Sequence, residues 1–445
     1  MKHLKRLIFI FFLLAVCAGT FSCSATPQRI YYLLKYKNNY NIKSDSPTIH
    51  SLKEILEKNE KIKFYPNNSL TLLQTGDEVL SRMYRLIESA NSEICIDQYI
   101  FRNDEVGIDF FKLLQQKSES GVKVRIIIDK LGSFGPSFYY SKYLKSASKI
   151  QLRFFNPVLW WSIIKINNRD HSKLLIVDSK TAVISGIGLG KEYKYWRDIG
   201  VEIQGPVLFD IKKKFEETWR KSGYGWFGKD IPFPGLNELK SEFDKLFLKK
   251  IKIDDSLKNN LQGSADARLL QASPDFSNRI VFETFLKAIN SSSNYVYITN
   301  SYFLPNKLFR NSLINAVKRG VDVKIILPSK TDLPLLRRTS HLYYPELLKN
   351  GIKIYELKDR VLHAKYMLSD DIWCSVGSVN ILDRAFFMNI ENNIEILDSD
   401  FTIELKKLFL NDLENSSQII YEQWKKTSFI KKLGNYILFP TIFLY

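Results

Sequence analysis

Two long stretches of this chain carry the same succession of apolar patterns in the same order. Val79, Leu80, Met83, Leu86 and Ile87 recur at helical spacing ahead of a strand-like run over 93–101. Ile280, Val281, Phe285 and Ile289 do the same ahead of 295–303. In each stretch a second amphipathic helix is expected next, near 107–118 and 307–319. Apolar strand runs over 121–129 and 150–155 then find partners at 320–328 and 352–357. Strands alternating with helices predict mixed or parallel sheets flanked by helices, an α/β fold. The repeat predicts two homologous sandwich lobes in one chain, 69–224 and 265–425. Between them, 225–264 reads as a linker, with a helix over 236–250. The segment 26–68 reads as a polar, tyrosine-rich N-terminal extension without legible chemistry. The apolar tail, 426–445, either dips into a membrane or packs on the body.

The first 25 residues change the picture of where the chain works. Lys2, Lys5 and Arg6 precede an uncharged apolar run from Leu7 to Phe21, followed by the small residues Cys23, Ser24 and Ala25. This pattern predicts an export signal or a membrane anchor, with lipidation at Cys23 as a third route. The expected location is the cell envelope. The formal net charge is +18, and removing the leader lowers it to 18 − 3 = +15. Such a surface suits a polyanion, either an anionic membrane or a nucleic acid. Aromatic content of 13% and the pair Trp160–Trp161 lean toward a lipid interface or a hydrophobic core. Cys95 and Cys374 lie in apolar strand runs and are expected to be buried free thiols. No spacing suits a metal site, and no cofactor is implied.

The candidate chemistry repeats with the pattern. His171, Lys173 and Asp178 are spaced H-x-K-x-x-x-x-D, and His363, Lys365 and Asp370 repeat that spacing 363 − 171 = 192 residues later. Small residues follow each copy, Ser185 to Gly188 and Gly377 to Asn380. Histidine and lysine two apart on a strand project from one face. Joining the two copies would gather two imidazoles and two ammonium groups in one cavity. That set suits a phosphodiester: the lysines neutralise non-bridging oxygens, one imidazole attacks phosphorus, and the other protonates the leaving oxygen. Asp178 and Asp370 read locally as hydrogen-bond anchors. His341, close to Arg337 and Arg338, reads as a surface loop residue or a head-group contact.

These motifs resemble the phospholipase D superfamily, and within it the bacterial cardiolipin synthases, over roughly residues 70–423. The second copy matches the family pattern at His363, Lys365, Asp370, Gly377, Ser378, Asn380, Arg384, Asn389 and Glu391. The first matches at His171, Lys173 and Asp178, and Tyr195 to Asp198, Tyr99 to Arg102, Phe155 to Pro157 and Ser301 to Pro305 add to the likeness. The chain departs from the pattern at Gly188, where the family usually has asparagine, and at Leu382 and Ala385. The resemblance implies two phospholipase D-type lobes with one active site at their interface. It groups His171, Lys173, Asp178, His363, Lys365 and Asp370 as catalytic, and Ser378 and Asn380 as phosphate-binding. Asp198 and Glu391 would each orient an imidazole, a surface salt bridge being their alternative. The implied reaction passes through a covalent phosphohistidine on His171, with His363 as acid and then base. The expected substrate is a glycerophospholipid, with transfer or hydrolysis as the outcome. A nuclease of the same fold and a weakly active membrane-binding protein are the alternatives. With both motifs in one chain, a monomer is expected.

Overall fold

The computed structural model describes residues 47–58, 60–133, 149–155, 168–222, 263–274 and 279–426. The expected leader, the Trp160–Trp161 pair, the linker helix over 236–250 and the apolar tail lie outside these residues. No helix among the described residues is long and apolar enough to cross a membrane.

The first half contributes β1 (Tyr65–Leu73), β2 (Glu93–Gln98), β3 (Lys123–Asp129), β4 (Gln151–Phe155), β5 (Lys173–Val177), β6 (Thr181–Ser185) and β7 (Gly200–Gln204). The second contributes β8 (Ala265–Ala272), β9 (Tyr295–Thr299), β10 (Phe303–Leu304), β11 (Asp322–Lys330), β12 (Lys353–Val361), β13 (Tyr366–Ser369), β14 (Trp373–Gly377), β15 (Ile381–Leu382), β16 (Glu391–Leu397) and β17 (Ser416–Gln418). Among the described residues, fifteen strands join in the order β17-β12-β11-β9-β13-β14-β16-β8-β1-β7-β6-β5-β2-β3-β4. Reading outward from the β8–β1 seam, the two halves follow the same sequence of equivalent strands. Parallel pairs β2–β3 and β9–β11 sit beside antiparallel hairpins β5–β6 and β13–β14, so each half is mixed.

The seam itself is antiparallel and irregular, with register changing between Tyr65 and Asn68. Asn68, fully buried, repairs it: its amide donates to the carbonyls of Tyr65 and Ala265, and its oxygen accepts from the Val207 amide at 3.0 Å. Strands β6 and β7 pack against β14 and β16 across the seam. A shared core fills the space between, including Leu174, Ile184 and Val201 from one half and Tyr366, Val376 and Ile394 from the other. Separate cores lie under the outer helices. In the first half these are α2 (Gly76–Ser89) and α3 (Glu105–Glu119), whose predicted stripes are buried. In the second they are α5 (Ile280–Ser291) and α6 (Lys307–Lys318). Helix α4 (Leu208–Lys221) turns its apolar face into the shared core instead.

The N-terminal extension is more structured than its polar composition suggests. Ile49–Glu57 form α1, opened by a reciprocal Thr48–Ser51 cap. Its Leu52 and Leu56 pack into the core of the second half, and Lys53 reaches Asp266 at 2.6 Å. Strand β1 also begins within the extension, so the chain enters the first lobe only after touching the second.

Candidate active site

The site is built where the chain runs into β5 and β13, at the ends of β2 and β9 where those parallel strands finish. Short cross-half backbone bonds bring the two approaches together. The amide of His171 donates to the carbonyl of Ile390 at 2.8 Å, and the amide of Ile390 donates to Arg169. The mirror pair is His363 to Arg197 at 2.9 Å and Arg197 to Val361 at 2.8 Å. Each histidine is therefore fixed by main chain from the opposite half.

Their side chains cross in the same way. His171 Nδ1 lies 2.8 Å from Oε2 of Glu391, and His363 Nδ1 lies 2.7 Å from Oδ2 of Asp198. Each carboxylate thus orients the histidine of the other motif, and neither faces water. With Nδ1 taken, Nε2 of each ring has no partner among the described residues and is left for chemistry. The lysines are buried and tethered: Lys173 donates to the carbonyl of His171 at 2.7 Å, and Lys365 donates to that of His363. Asn380 is also buried. Its oxygen accepts from the Ser301 hydroxyl at 2.7 Å and the Tyr302 amide, while its amide nitrogen has no partner among the described residues. Arg384, Tyr99 and Trp196 complete the surroundings, with Tyr99 4.8 Å from the His171 ring and Trp196 5.1 Å from the His363 ring.

Two groups of expected residues play different parts from those the motif assigns. Asp178 and Asp370 stand at the far ends of β5 and β13, about 20 Å along the strand from their histidines at ~3.3 Å per residue. Both have positive φ, and both gather backbone amides. Asp178 accepts from Asn91, Ser92 and Glu93, and Asp370 from Ser293, Asn294 and Tyr295, all within 2.9 Å. They pin the turn that launches β2 and β9. Ser378, expected to bind phosphate, gives its hydroxyl to Oε2 of Glu391 at 2.6 Å and accepts from the amide of Asn392. It holds the carboxylate that holds His171. His341 lies outside the site, half-buried between Tyr344 and Trp424 and 3.1 Å from Glu356. Cys95 and Cys374 are buried free thiols.

Burial dominates the electrostatics. It drives His171 well below the ordinary histidine value, helped by Lys173, Lys365 and His363. His363 is also lowered by burial and by Lys365, but Asp198 pulls against the shift. Burial brings Lys173 down to about 7 and Lys365 down to about 8, and lifts Glu391 up to about 7. Burial disfavours the charged forms of these groups, and a bound phosphate would favour the charged lysines.

The sequence reading missed a buried acidic group beside His171. Asp129 holds Arg169 at 3.2 Å and accepts from the amide of Asp170. Burial pushes Asp97 well above the carboxylate range, reinforced by Asp170 and Asp129, and lifts Asp170 up to about 6 against the hydrogen bonds from Ser172 and Asp97. Only their adjacency to the motif could have drawn notice, since they come from three separate strands or loops.

Residues 83–219 and 285–413 match the family model described as cardiolipin synthase, phospholipase D-like domain. The chain belongs to that family. A cardiolipin synthase of Clostridium perfringens strain SM101 is 28% identical over 414 residues, covering 92% of this chain and 83% of its own length. One from Geobacillus sp. strain WCH70 is 30% identical over 363 residues, covering 80% and 68%. A crystal structure of phosphatidylserine synthase from Haemophilus influenzae shares the fold, with a TM-score of 0.66 and 15% identity over 87% of this chain and 96% of that one. This family member is an enzyme of the phospholipase D-type phosphatidyltransferase class.

Proposed function

We propose that this enzyme moves a phosphatidyl group from a glycerophospholipid to an alcohol through a covalent intermediate on His171. The observation that carries the reading is the crossed gripping of both histidines at Nδ1, which leaves each Nε2 unpartnered among the described residues, with Lys173, Lys365 and His363 close to His171. The Nε2 lone pair of neutral His171 attacks phosphorus, and the bond from phosphorus to the head-group oxygen breaks. His363 gives its Nε2 proton to that oxygen. An acceptor hydroxyl then loses its proton to His363 and attacks phosphorus, releasing His171. Lys173, Lys365 and the Asn380 amide bind the non-bridging oxygens. The assignment of roles follows the difference between the rings: burial and neighbouring cations push His171 further toward the neutral nucleophile, while Asp198 favours the protonated form of His363.

A membrane is the proposed working surface. Leu131, Tyr195 and Leu333 are exposed at 40, 69 and 37%, and the first two lie within two residues of Asp129 and Trp196 of the site. Exposed apolar side chains on a chain of net charge +18 suit insertion among anionic head groups.

The test is lipid mass spectrometry after incubating the full-length protein with phosphatidylglycerol vesicles. Cardiolipin is the expected product. Phosphatidic acid alone would move the reading to hydrolysis, and cleavage of single-stranded oligonucleotides with intact lipid would move it to a nuclease.

A further inference from the structure

Lys173 and Lys365 lie where a phosphate would rest, and an exposed carboxylate, Asp332, stands close to Lys365 and His363. Asp332 follows β11 and is exposed to solvent. The Tyr302 hydroxyl donates to its Oδ2 at 2.6 Å, and the Thr331 hydroxyl donates to its Oδ1 at 3.1 Å. The Tyr302 ring in turn stands edge-on to His363, with centroids 6.0 Å apart. Partial burial would raise the Asp332 carboxyl, yet His363, the Tyr302 hydroxyl and Lys365 hold it below the usual carboxylate range. It is an anion that accepts and cannot donate, and each oxygen keeps a lone pair for a further hydrogen bond.

Among the described residues, the first half has no exposed carboxylate at the equivalent place. Counting from the repeated Gly121 and Gly320, the place of Asp332 belongs there to Ser133. That hydroxyl is spent on backbone, donating to the carbonyl of Tyr99 and accepting from the amide of Phe101, both at 3.0 Å. The His171 side has Arg384, Tyr99 and Arg169, the last held by the buried Asp129. The acids beside His171 are fully buried, whereas Asp332 beside His363 is open to solvent and presents an acceptor for hydroxyl hydrogens.

We infer that Asp332 selects the acceptor alcohol, taking a hydrogen bond from the hydroxyl next to the one His363 deprotonates. The chemistry it recognises is a vicinal diol, borne on free glycerol or on a glycerol head group in the membrane. A monohydric alcohol offers only the reacting hydroxyl and gains nothing from Asp332. The inference rests on the reading above, in which His363 serves the alcohol.

The experiment is a competition. Full-length protein in phosphatidylglycerol vesicles receives deuterated glycerol and methanol together, and mass spectrometry reads three products: labelled phosphatidylglycerol, cardiolipin and phosphatidylmethanol. In Asp332→Asn the ratio of diol product to phosphatidylmethanol falls about tenfold, the loss expected of one charge-assisted hydrogen bond. Tyr302→Phe, which releases the carboxylate without removing it, lowers the ratio roughly threefold and serves if the first variant does not fold. A fall confined to one diol product supports the role and names the source of the diol. Ratios unchanged in both variants overturn the inference while leaving the transferase reading intact. Failure of the unaltered enzyme to form any phosphatidyl product overturns both.

Discussion

The two halves of this enzyme share a backbone plan, but their motifs have drifted apart in what surrounds the histidine. In the second half Ser378 and Asn380 follow β14, one bracing Glu391 and the other presenting an unpartnered amide. The equivalent places in the first half are Gly186 and Gly188. A Cβ on Gly186 would sit 2.3 Å from Oδ1 of Asp198, so the shorter carboxylate reaches His363 only because the backbone beside it is bare. A Cβ on Gly188 would meet the Ile100 carbonyl at 2.7 Å. The first half cannot take an asparagine there without shifting. Tyr99 stands against His171 instead, where the second half has Ser301. The acids also differ: Asp97 and Asp170 correspond to Thr299 and Leu362. The repeat supplies two imidazoles, and the groups around them differ.

The sharpest way to break the comparison is to remove one ring at a time. His171→Ala and His363→Ala are each expected to lower turnover by about 10⁴-fold or more, as loss of a nucleophile or its acid partner does elsewhere. Circular dichroism should show both folded. Substantial activity in either variant would mean that the halves work separately.

Next in size are the crossed carboxylates. Glu391→Gln should cost about 10²- to 10⁴-fold through His171, and Asp198→Asn a similar factor through His363. Quenched-flow kinetics separates them: the first variant slows formation of the covalent intermediate. The second slows the steps that move a proton to or from the alcohol. Uncrossed pairing would exchange those two phenotypes.

The anchoring aspartates test the distinction between chemistry and scaffold. Asp178→Ala leaves three backbone amides without their acceptor, and thermal or urea unfolding should show a loss of about 2–4 kcal/mol. Per folded molecule the turnover should change little. A large fall in turnover with unchanged stability would return Asp178 to the catalytic set.

The smallest effect is a shift along the pH axis. Glu391 must be ionised to accept the His171 Nδ1 proton, so activity should climb as pH rises through its value of about 7. Activity should decline again as Lys173 and Lys365, at about 7 and about 8, lose their charge. The hydrogen bond from Ser378 lowers the Glu391 value, so Ser378→Ala should move the rising limb upward. A downward move would contradict that bracing role.

Much of this organisation was legible in the order of residues. The apolar stripes of α2 and α5 and the strand runs around β3 and β11 gave the repeat, because periodicity and burial coincide in those elements. His171, Lys173, His363 and Lys365 were legible because the spacing repeats. What escaped is long-range. Nothing local says that Glu391 serves the histidine 220 residues away, or that Ser378 serves Glu391 before any phosphate. Asp332 escaped because it lies on a polar loop and acquires meaning only through Tyr302 and His363. The helix α1 escaped because its nine residues are held by a core belonging to the distant half.

The measurement that bears most directly on this account is the site of the covalent intermediate. Enzyme turning over phosphatidylglycerol, quenched in alkaline denaturant within milliseconds and digested, should carry the phosphatidyl adduct on the peptide containing His171. An adduct on the His363 peptide would reverse the assigned roles, and an enzyme that turns over rapidly without any adduct would contradict the mechanism itself.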